Sequence, residues 1–435
     1  MNNDLTLIIS NGMLLDPDSK TKCHAHIVIS NGKFLHIEKN LNELNELKKK
    51  FTDAKVIDAQ DKLVLPGLVD LRARFREPGE EHKATIASEA YAAAKAGITS
   101  VCIPPDTDPI IDKPSVANTI FEKSRLANAA KIYPVAALSQ HLDGKMLGDI
   151  WTMTRAGCVG VSNAKNSINS VLMQRRAMQY AASFGITVHL YPQDHELLGN
   201  GCVHEGLTST RLGLPAVPSA AEIVGLARDI ALIETTGVTA HIMGISCARS
   251  VEMIAQAQKN GLNITADVDI HHLLMNENDM RDFDSNFYIQ PPLRTADDQL
   301  ALIEGVKNGV IQAICTDHQP HDDDAKLAPF SETEPGISSL DILLPGMLKI
   351  SKKHGIDLLE SIAAISNQPA KIAGLTAGNI AIDNPADCII VEPNETWQLS
   401  KSTVNSKGKN SPYLNQTLTG RCLQTIIDGQ LVDLD

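Results

Sequence analysis

The chain has 435 residues, of which 43% are hydrophobic and 21% are charged, and its net charge is −13 at pH 7. This acidic balance argues against non-specific nucleic-acid binding, because proteins of that class need a basic surface to displace counterions. The eight cysteines form no Cys-x-x-Cys pair, so neither a disulfide framework nor a cysteine zinc site is expected. The sequence has neither a basic and apolar leader nor an apolar run of about 18 residues, and we predict a cytoplasmic protein without membrane spans.

Both ends of the chain have the pattern of β-strands joined by tight turns. Residues 5–38 contain two strand-like runs, and residues 386–435 contain two more. Asn-Gly and Asp-Gly pairs favour the primed turns of β-hairpins, and such pairs lie at 11–12, 31–32 and 428–429. We therefore predict a small β-sandwich domain built from both chain ends, residues 1–62 and 376–435.

The middle of the chain, residues 63–375, alternates short apolar runs with Ala-rich helical patterns that end at glycines. This alternation indicates repeated βα units and a parallel sheet. About eight such units fit a (β/α)8 barrel of the TIM type. A doubly wound α/β sheet is the alternative, but no GxGxxG or GxxxxGK[ST] motif follows any strand to support it.

Two polar loops interrupt these patterns. Residues 321–336 are acidic and follow a strand end, where barrel proteins carry their flaps, so either a flap or plain surface is expected. Residues 401–412 are polar, and we predict a mobile surface segment.

Residues 63–82, LVLPGLVDLRARFREPGEEH, place Arg72, Arg74 and Arg76 at every second position. Alternate side chains of a strand share one face, so the three arginines are predicted to point the same way. The stretch resembles the first barrel strand of the dihydroorotase family of the amidohydrolase superfamily, whose motif is Asp-x-His-x-His-x-Arg-Glu-Pro-Gly. Both histidines of that motif are arginines here, and the resemblance covers nearly the whole chain.

The resemblance implies the chemistry of that family, the reversible cyclisation of carbamoyl aspartate to dihydroorotate at a zinc site. It also implies that one metal-ligand position is retained, as Asp317, and that the others are replaced. A guanidinium has no lone pair to offer a metal, and we expect no metal and no other cofactor. The replaced positions are Arg72, Arg74, Asn163, Tyr191 and Gly244.

Three further residues near these positions could serve a metal in principle. Lys165 could be carboxylated, but no neighbouring residues supply the remaining ligands. His189 shares the face of Tyr191 about one layer deeper, and His241 lies an odd number of residues from Gly244, which predicts the opposite face. We interpret both histidines as core residues.

The resemblance also identifies four former substrate-site positions. The segment CTDHQPH, 315–321, keeps the family order Thr-Asp-His-x-Pro-His, and FYIQPPLR and IPPDTDP resemble Asn-Pro-Pro-Leu-Arg and Met-Pro-Asn-Thr-x-Pro. A glutamine and an aspartate stand where the family has substrate-binding asparagines, whereas the arginine that binds a substrate carboxylate is retained. These positions are Arg76, Asp106, Gln290 and His321.

A buried Asp317 without a metal needs another counter-charge. We hypothesise that Arg72 or Arg74 projects across the barrel to supply it, so that the arginines replace zinc structurally. The competing interpretation is that Arg72, Arg74 and Arg76 form a pocket for a dicarboxylate or a phosphate.

Function follows from the resemblance rather than from composition. The sequence is similar to non-catalytic dihydroorotase homologues that serve as structural subunits of aspartate carbamoyltransferase, in dodecamers with six chains of each kind. The partner expected from this resemblance is the catalytic chain of that transferase, and homodimer formation stays open. The alternatives are an amidohydrolase with a rearranged site using Asp317 and His189, and an anion-binding sensor. No His-x-His occurs in the barrel strands, and His271-His272 would point to opposite faces of a strand.

Overall fold

The structure, a computed structural model, describes residues 6–280 and 282–433. Residues 1–5 and 434–435 of the predicted β domain lie outside this description. Both chain ends enter one sheet of eight strands in the order β19-β18-β17-β5-β1-β2-β3, with β4 beside β1. These strands are β1 (Leu7–Asp16), β2 (Thr21–Ser30), β3 (Lys33–Glu38), β4 (Lys55–Asp58), β5 (Leu63–Pro66), β17 (Cys388–Gln398), β18 (Thr417–Ile427) and β19 (Gln430–Leu431).

The predicted turns of this sheet are right in two of three places. Asn31-Gly32 joins β2 to β3, and Asp428-Gly429 joins β18 to β19, with positive φ angles at all four residues. Asn11-Gly12 is not a turn, because β1 continues through it and only shifts register against β2 between Ile9 and Gly12. A Cβ at Gly12 would lie 2.4 Å from the Val64 side chain, so this β-bulge requires glycine.

The boundary predicted between residues 62 and 63 is wrong. β5 (Leu63–Pro66) pairs with β1 in parallel and with β17 antiparallel, so it belongs to the sheet of the chain ends. The apolar run 63–69 is therefore two strands that serve different sheets. The parallel part of the fold begins only after Pro66, with β6.

The parallel strands follow one another in chain order. One sheet runs β6-β7-β8 and the other β9-β10-β11-β14-β15-β16, and only Val135 separates β8 from β9. A bridge between Ala73 and His318 links the first strand region to the last. This sequential order is the one that a (β/α)8 barrel requires, whereas a doubly wound sheet reverses its order midway. The strands are β6 (Leu68–Asp70), β7 (Ile98–Ile103), β8 (Lys131–Pro134), β9 (Ala136–Ala137), β10 (Val161–Ser162), β11 (Val188–Leu190), β14 (Ala240–Ile242), β15 (Ile264–Asp269) and β16 (Ala313–Cys315).

Helices connect these strands, and a short ribbon of β12 (Val203–His204) and β13 (Ala216–Val217) lies between two of them. Thr85, Ser170 and Thr295 cap helix N-termini with their side chains, and Gly213, Gly237 and Gly355 end helices in the left-handed conformation. The helices are α1 (Leu44–Lys50), α2 (Ile86–Lys95), α3 (Pro114–Ala127), α4 (Ile150–Arg155), α5 (Val171–Ser183), α6 (His195–Leu198), α7 (Leu207–Leu212), α8 (Ala220–Thr236), α9 (Ala248–Lys259), α10 (Ile270–Leu274), α11 (Ala296–Lys307), α12 (Leu343–His354), α13 (Leu358–Ala363) and α14 (Asn367–Ile372).

Within the described residues, no helix is both long and apolar enough to cross a membrane. All eight cysteines are free thiols. The hydrophobic core lies between the parallel strands and their helices, with Ile, Val, Leu and Ala dominating both faces of the strands. Such continuous burial is expected of parallel strands, which helices cover.

The polar stretch 401–412 is packed against the protein, contrary to the prediction of a mobile surface segment. Asn410 accepts a hydrogen bond from the backbone N–H of His321 (2.8 Å) and donates to the carbonyls of Gln319 and Gly336 (3.0 Å each). These contacts hold both ends of the acidic loop, and we name residues 399–413 the return segment. Its buried residues are Leu399, Val404, Ser406, Gly408, Asn410, Ser411 and Tyr413.

Candidate functional site

A cluster of buried charges lies at the carboxyl ends of three parallel strands. Arg72 follows β6, Asp267 and Asp269 lie on β15, and Asp317 follows β16. None of the four residues is more than 4% exposed. In parallel sheets the strand ends meet at one edge, which is where barrel and open α/β proteins place their sites.

Arg72 is the centre of this cluster. Its Nη2 atom lies 2.8 Å from Asp267 Oδ1 and also contacts Asp269 Oδ1, and its Nε atom lies 3.4 Å from Asp317 Oδ1. One guanidinium thus faces three carboxylates. Asp267 and Asp269 were missed in the sequence analysis, although their spacing of two in the apolar run LNITADVD was the signal that could have found them.

Asp317 receives two further cations. Arg74 Nη1 lies 3.1 Å from Asp317 Oδ1, and Lys165 Nζ lies 3.1 Å from Asp317 Oδ2. Gln319 donates a hydrogen bond to the same Oδ2 atom at 2.8 Å. The structure therefore contains the contact between the arginines and Asp317 that the hypothesis required, and it adds Lys165 as a third cationic partner of this carboxylate.

These contacts shift the pKa values of the three aspartates in different directions. Burial alone would raise the pKa of Asp317, but Lys165, Arg72 and Arg74 hold it well below its ordinary value. Burial would also raise the pKa of Asp267, but Arg72 and His241 lower it to about 2. Burial raises the pKa of Asp269 to about 7. Arg72 lowers this pKa but is shared among three carboxylates, and the negative charges of Asp317 and Asp267 raise it further.

The predicted common face of the three arginines is wrong for Arg76. β6 ends at Asp70, so strand alternation does not extend along the motif, and Arg76 has a φ of +63°. Its Nε atom donates to the Pro320 carbonyl (3.0 Å) and its Nη1 atom to Glu80 (3.2 Å). Arg72 and Arg74 therefore have carboxylate partners within the chain, which disfavours the interpretation that Arg72, Arg74 and Arg76 form one anion pocket.

Gly244, which the resemblance places at a replaced ligand position, has a φ of +59°, and a Cβ there would lie 2.9 Å from Arg72 Nη1. A histidine at this position and Arg72 therefore compete for the same space. Asn163, another position where the resemblance predicts a replaced ligand, is part of a loop, and its Oδ1 accepts a hydrogen bond from Ser139 Oγ at 2.6 Å. The Tyr191 hydroxyl is buried and makes no hydrogen bond within the described residues.

The two histidines interpreted as core residues are buried, and their rings lie 5.3 Å apart. His241 does not point away from the side of Gly244, contrary to prediction. His241 Nε2 lies 2.9 Å from Asp267 Oδ2, while the Gly244 N–H donates to Asp267 Oδ1 at 2.6 Å. The alternation rule fails because β14 ends at Ile242 and Gly244 is left-handed.

The remaining positions of the family motif make internal contacts. Asp106 Oδ2 accepts from Arg74 Nε at 2.9 Å, and Gln290 donates to Gln193 at 3.3 Å. His321 Nε2 lies 3.0 Å from Arg76 Nη2. The pair His271-His272 lies on α10 rather than on a strand, where Tyr413 and the Pro292 carbonyl are the respective partners.

The acidic loop 321–336, expected to be either a flap or plain surface, is partly packed and partly exposed. Phe330 is buried, with its ring 5.4 Å from that of Tyr288, whereas Leu327 is 77% exposed. A separate cavity of about 280 Å³ is lined by Arg74, Arg76 and Asp106, among others.

The charge cluster does not fit a divalent metal. A zinc site needs three or more protein donors around an open position, and no group of three or more His, Cys, Asp or Glu residues in the described chain is arranged to hold one. The carboxylates that remain contact Arg72, Arg74 and Lys165 instead. A metal would have to displace a guanidinium that is 2% exposed.

We expect Arg72→Ala to lower the free energy of unfolding by about 3–5 kcal/mol, because it leaves buried carboxylates without their counter-charge. Urea unfolding at pH 7 measures this. Arg249→Ala is the matched control, since Arg249 is 62% exposed and its ion pair with Glu252 lies on the surface. Equal stability of the Arg72 and Arg249 variants would contradict the structural role of Arg72.

The raised pKa of Asp269 predicts a pH dependence of stability. The folded protein holds a proton on Asp269 that the unfolded chain releases between its ordinary pKa of 3.8 and about 7. The free energy of unfolding should therefore fall as pH rises through this interval and level off above it. Asp269→Asn should flatten the curve relative to wild type in urea unfolding from about pH 4.5 to 8, which covers most of that interval and the plateau above it. Parallel curves would show that Asp269 does not titrate there.

Comparison with solved structures shows the fold. The L-hydantoinase (dihydropyrimidinase) from Arthrobacter aurescens superposes with a TM-score of 0.84 at 21% identity, covering 98% of this chain and 95% of the other. The dihydropyrimidinase from Brevibacillus agri superposes with a TM-score of 0.83 at the same identity and coverage. The chain therefore has the mixed α/β fold of these proteins.

Sequence comparison shows the family. A family model described as dihydro-orotase-like matches residues 61–250. A dihydroorotase-like protein of Pseudomonas aeruginosa is 39% identical over 98% of this chain and 99% of its own length. One of Pseudomonas putida is 40% identical over 88% of this chain and 90% of its own length. A dihydroorotase of Anaeromyxobacter dehalogenans is 36% identical over 98% of this chain and 97% of its own length. With relatives that match along almost its entire length, the chain belongs to the dihydroorotase-like protein family.

Proposed function

We propose that this chain is a non-catalytic member of its family. The observation that carries the proposal is the position of Arg72, whose guanidinium contacts Asp267, Asp269 and Asp317 at the strand ends. A metal-dependent amidohydrolase needs these carboxylates, or histidines nearby, to hold a cation that activates water. Here the side chain of Arg72 already pairs with all three, and Arg74 and Lys165 supply further positive charge at Asp317.

The replacements support one another, which argues against a site that has lost a single ligand. Gly244 leaves the room that Arg72 occupies. Lys165 and Arg74 add charge beside Asp317, where a divalent ion would be repelled by several kcal/mol, about 4 kcal/mol per unit charge at 4 Å and an effective dielectric constant of 20. Restoring a metal would therefore require several simultaneous changes.

The names of relatives do not decide between the alternatives. The Pseudomonas relatives are named dihydroorotase-like proteins and the Anaeromyxobacter relative is named a dihydroorotase, at similar identity to this chain. A rearranged site that uses Asp317 and His189 is disfavoured, because Lys165, Arg74 and Gln319 already contact the oxygens of Asp317.

We infer from the resemblance that the role is structural and belongs to pyrimidine biosynthesis in the cytoplasm. The partner would be the catalytic chain of aspartate carbamoyltransferase, in a dodecamer with six chains of each kind. The proposal also takes the parallel strands as one closed (β/α)8 barrel and the sheet of the chain ends as a β-sandwich. A scaffold of this kind can keep its fold without its chemistry.

The proposal predicts that the chain purified without chelator and dialysed against zinc holds less than about a tenth of an equivalent, since it lacks the three donors of a zinc site. Elemental mass spectrometry measures the metal, and cyclisation of carbamoyl aspartate measures activity, which should equal that of the buffer. A sample treated with EDTA is the control. About one equivalent of zinc, with turnover that Asp317→Asn abolishes, would overturn the proposal.

The proposed partnership predicts co-assembly. The purified chain mixed with the catalytic chain of aspartate carbamoyltransferase from the same organism should elute as one complex of equal stoichiometry in size-exclusion chromatography with light scattering. Each protein alone is the control. Separate elution, with transferase activity unaffected by this chain, would contradict the structural role while leaving the metal result untouched.

A further inference from the structure

A groove of about 960 Å³ lies away from the charge cluster, between α12, the ends of β17 and β18, and the stretch that follows α10. Its volume is within the range of about 300–1,000 Å³ that is usual for small-molecule sites in proteins. The lining is divided between polar and apolar side chains. The apolar part includes Leu274, Phe287, Ile342, Leu348 and Leu418.

The α12 side of the groove carries three lysines. Lys349, Lys352 and Lys353 line it, and their spacings of three and four residues place them on one face of the helix. All three are exposed, and within the described residues none has a hydrogen bond or an ion pair. Their ammonium groups are therefore available to an anion that enters the groove.

The aspartates on the stretch that follows α10 do not take up these lysines. Asp279 accepts a hydrogen bond from the backbone N–H of Asn276 at 2.9 Å, and Asp284 accepts one from that of Asn286 at 2.9 Å, so both carboxylates stabilise local turns. Among the described lining residues, Asp282 is the carboxylate without such a bond. The groove therefore offers a ligand three uncommitted cations and one uncommitted carboxylate.

We propose that the groove binds an amphipathic monocarboxylate, a molecule with one anionic head and an apolar tail. The head would meet the ammonium groups of α12, and the tail would contact the apolar lining. Burial of the tail supplies most of the affinity, because exposed charge pairs contribute little in water, and the lysines orient the ligand. The inference goes beyond the proposed function and is independent of it, since no residue of the charge cluster lines the groove.

The lining favours this ligand class over others. A purely apolar molecule would leave the lysines without a partner, and an inorganic anion would leave the apolar side chains in contact with water. An organic cation would be repelled by the three uncommitted lysines. An acidic peptide carries charge along its whole length, whereas the uncommitted cations lie on one side only, where a single head group is enough.

Isothermal titration calorimetry of the purified chain with decanoate tests the proposal. We expect saturable binding at one site per chain. Three ligands are the matched controls, since decanol lacks the charge, decyltrimethylammonium reverses it and acetate lacks the tail. Each should bind at least about tenfold more weakly than decanoate, because either the head or the tail contributes nothing.

Charge variants locate the ligand in the groove. Lys352→Glu with Lys353→Glu should weaken decanoate binding by at least about fivefold at low salt, whereas Lys145→Glu with Lys259→Glu should not. The second pair changes the net charge equally, at exposed lysines that do not line the groove. Asp282→Asn should instead tighten binding by about twofold, a gain that a damaged fold does not produce. At about 1 M salt, where the Debye length is about 3 Å, these differences should vanish.

Absence of saturable decanoate binding would overturn the proposal, as would equal affinity for decanol or for decyltrimethylammonium. Binding that the variant of Lys352 and Lys353 leaves unchanged would place the ligand outside the groove and overturn the site. A glutamate-rich peptide that binds where decanoate does not would assign the groove to a protein partner and overturn the ligand class. Thermal melting of each variant shows that the fold is intact.

Discussion

The structure depends on one buried interaction, the guanidinium of Arg72 held among the carboxylates of Asp267, Asp269 and Asp317. Three carboxylates at the ends of β15 and β16 would repel one another in a dry interior unless a cation lay between them. A divalent metal is one solution and a protein side chain is another. This chain uses the second, and the cation is supplied by the same strand region that in related motifs carries histidines.

That choice has consequences for the neighbours of Arg72. Position 244 must stay small because its Cβ would lie 2.9 Å from Arg72 Nη1. Asp317 needs Arg74 and Lys165 because Arg72 is shared among three acids. The net result is a site whose shape is held by charges that are internal to the protein.

Sequence reasoning succeeded where local patterns decide the structure. Alternating βα units predicted the sequential parallel strands, and Asn31-Gly32 and Asp428-Gly429 are turns because their neighbours can pair as hairpins. It failed where distant residues decide. Asn11-Gly12 became a bulge because Val64 packs against it, and Arg76 left the common face because β6 stops at Asp70. Two of the three partners of Arg72, Asp267 and Asp269, lie 195 and 197 positions away, and no local pattern pairs them with it.

The position of β5 between β1 and β17 has a consequence for how the protein is made. Lys62, the residue before β5, pairs with Glu392 on β17, 330 positions later. At about 5–20 residues per second, β5 waits tens of seconds on the ribosome with its hydrogen-bonding edge open. Open edges recruit other strands, and pairings of such high contact order form slowly. The nascent chain is thus most vulnerable to aggregation at its first strands, until the last ones arrive to cover them.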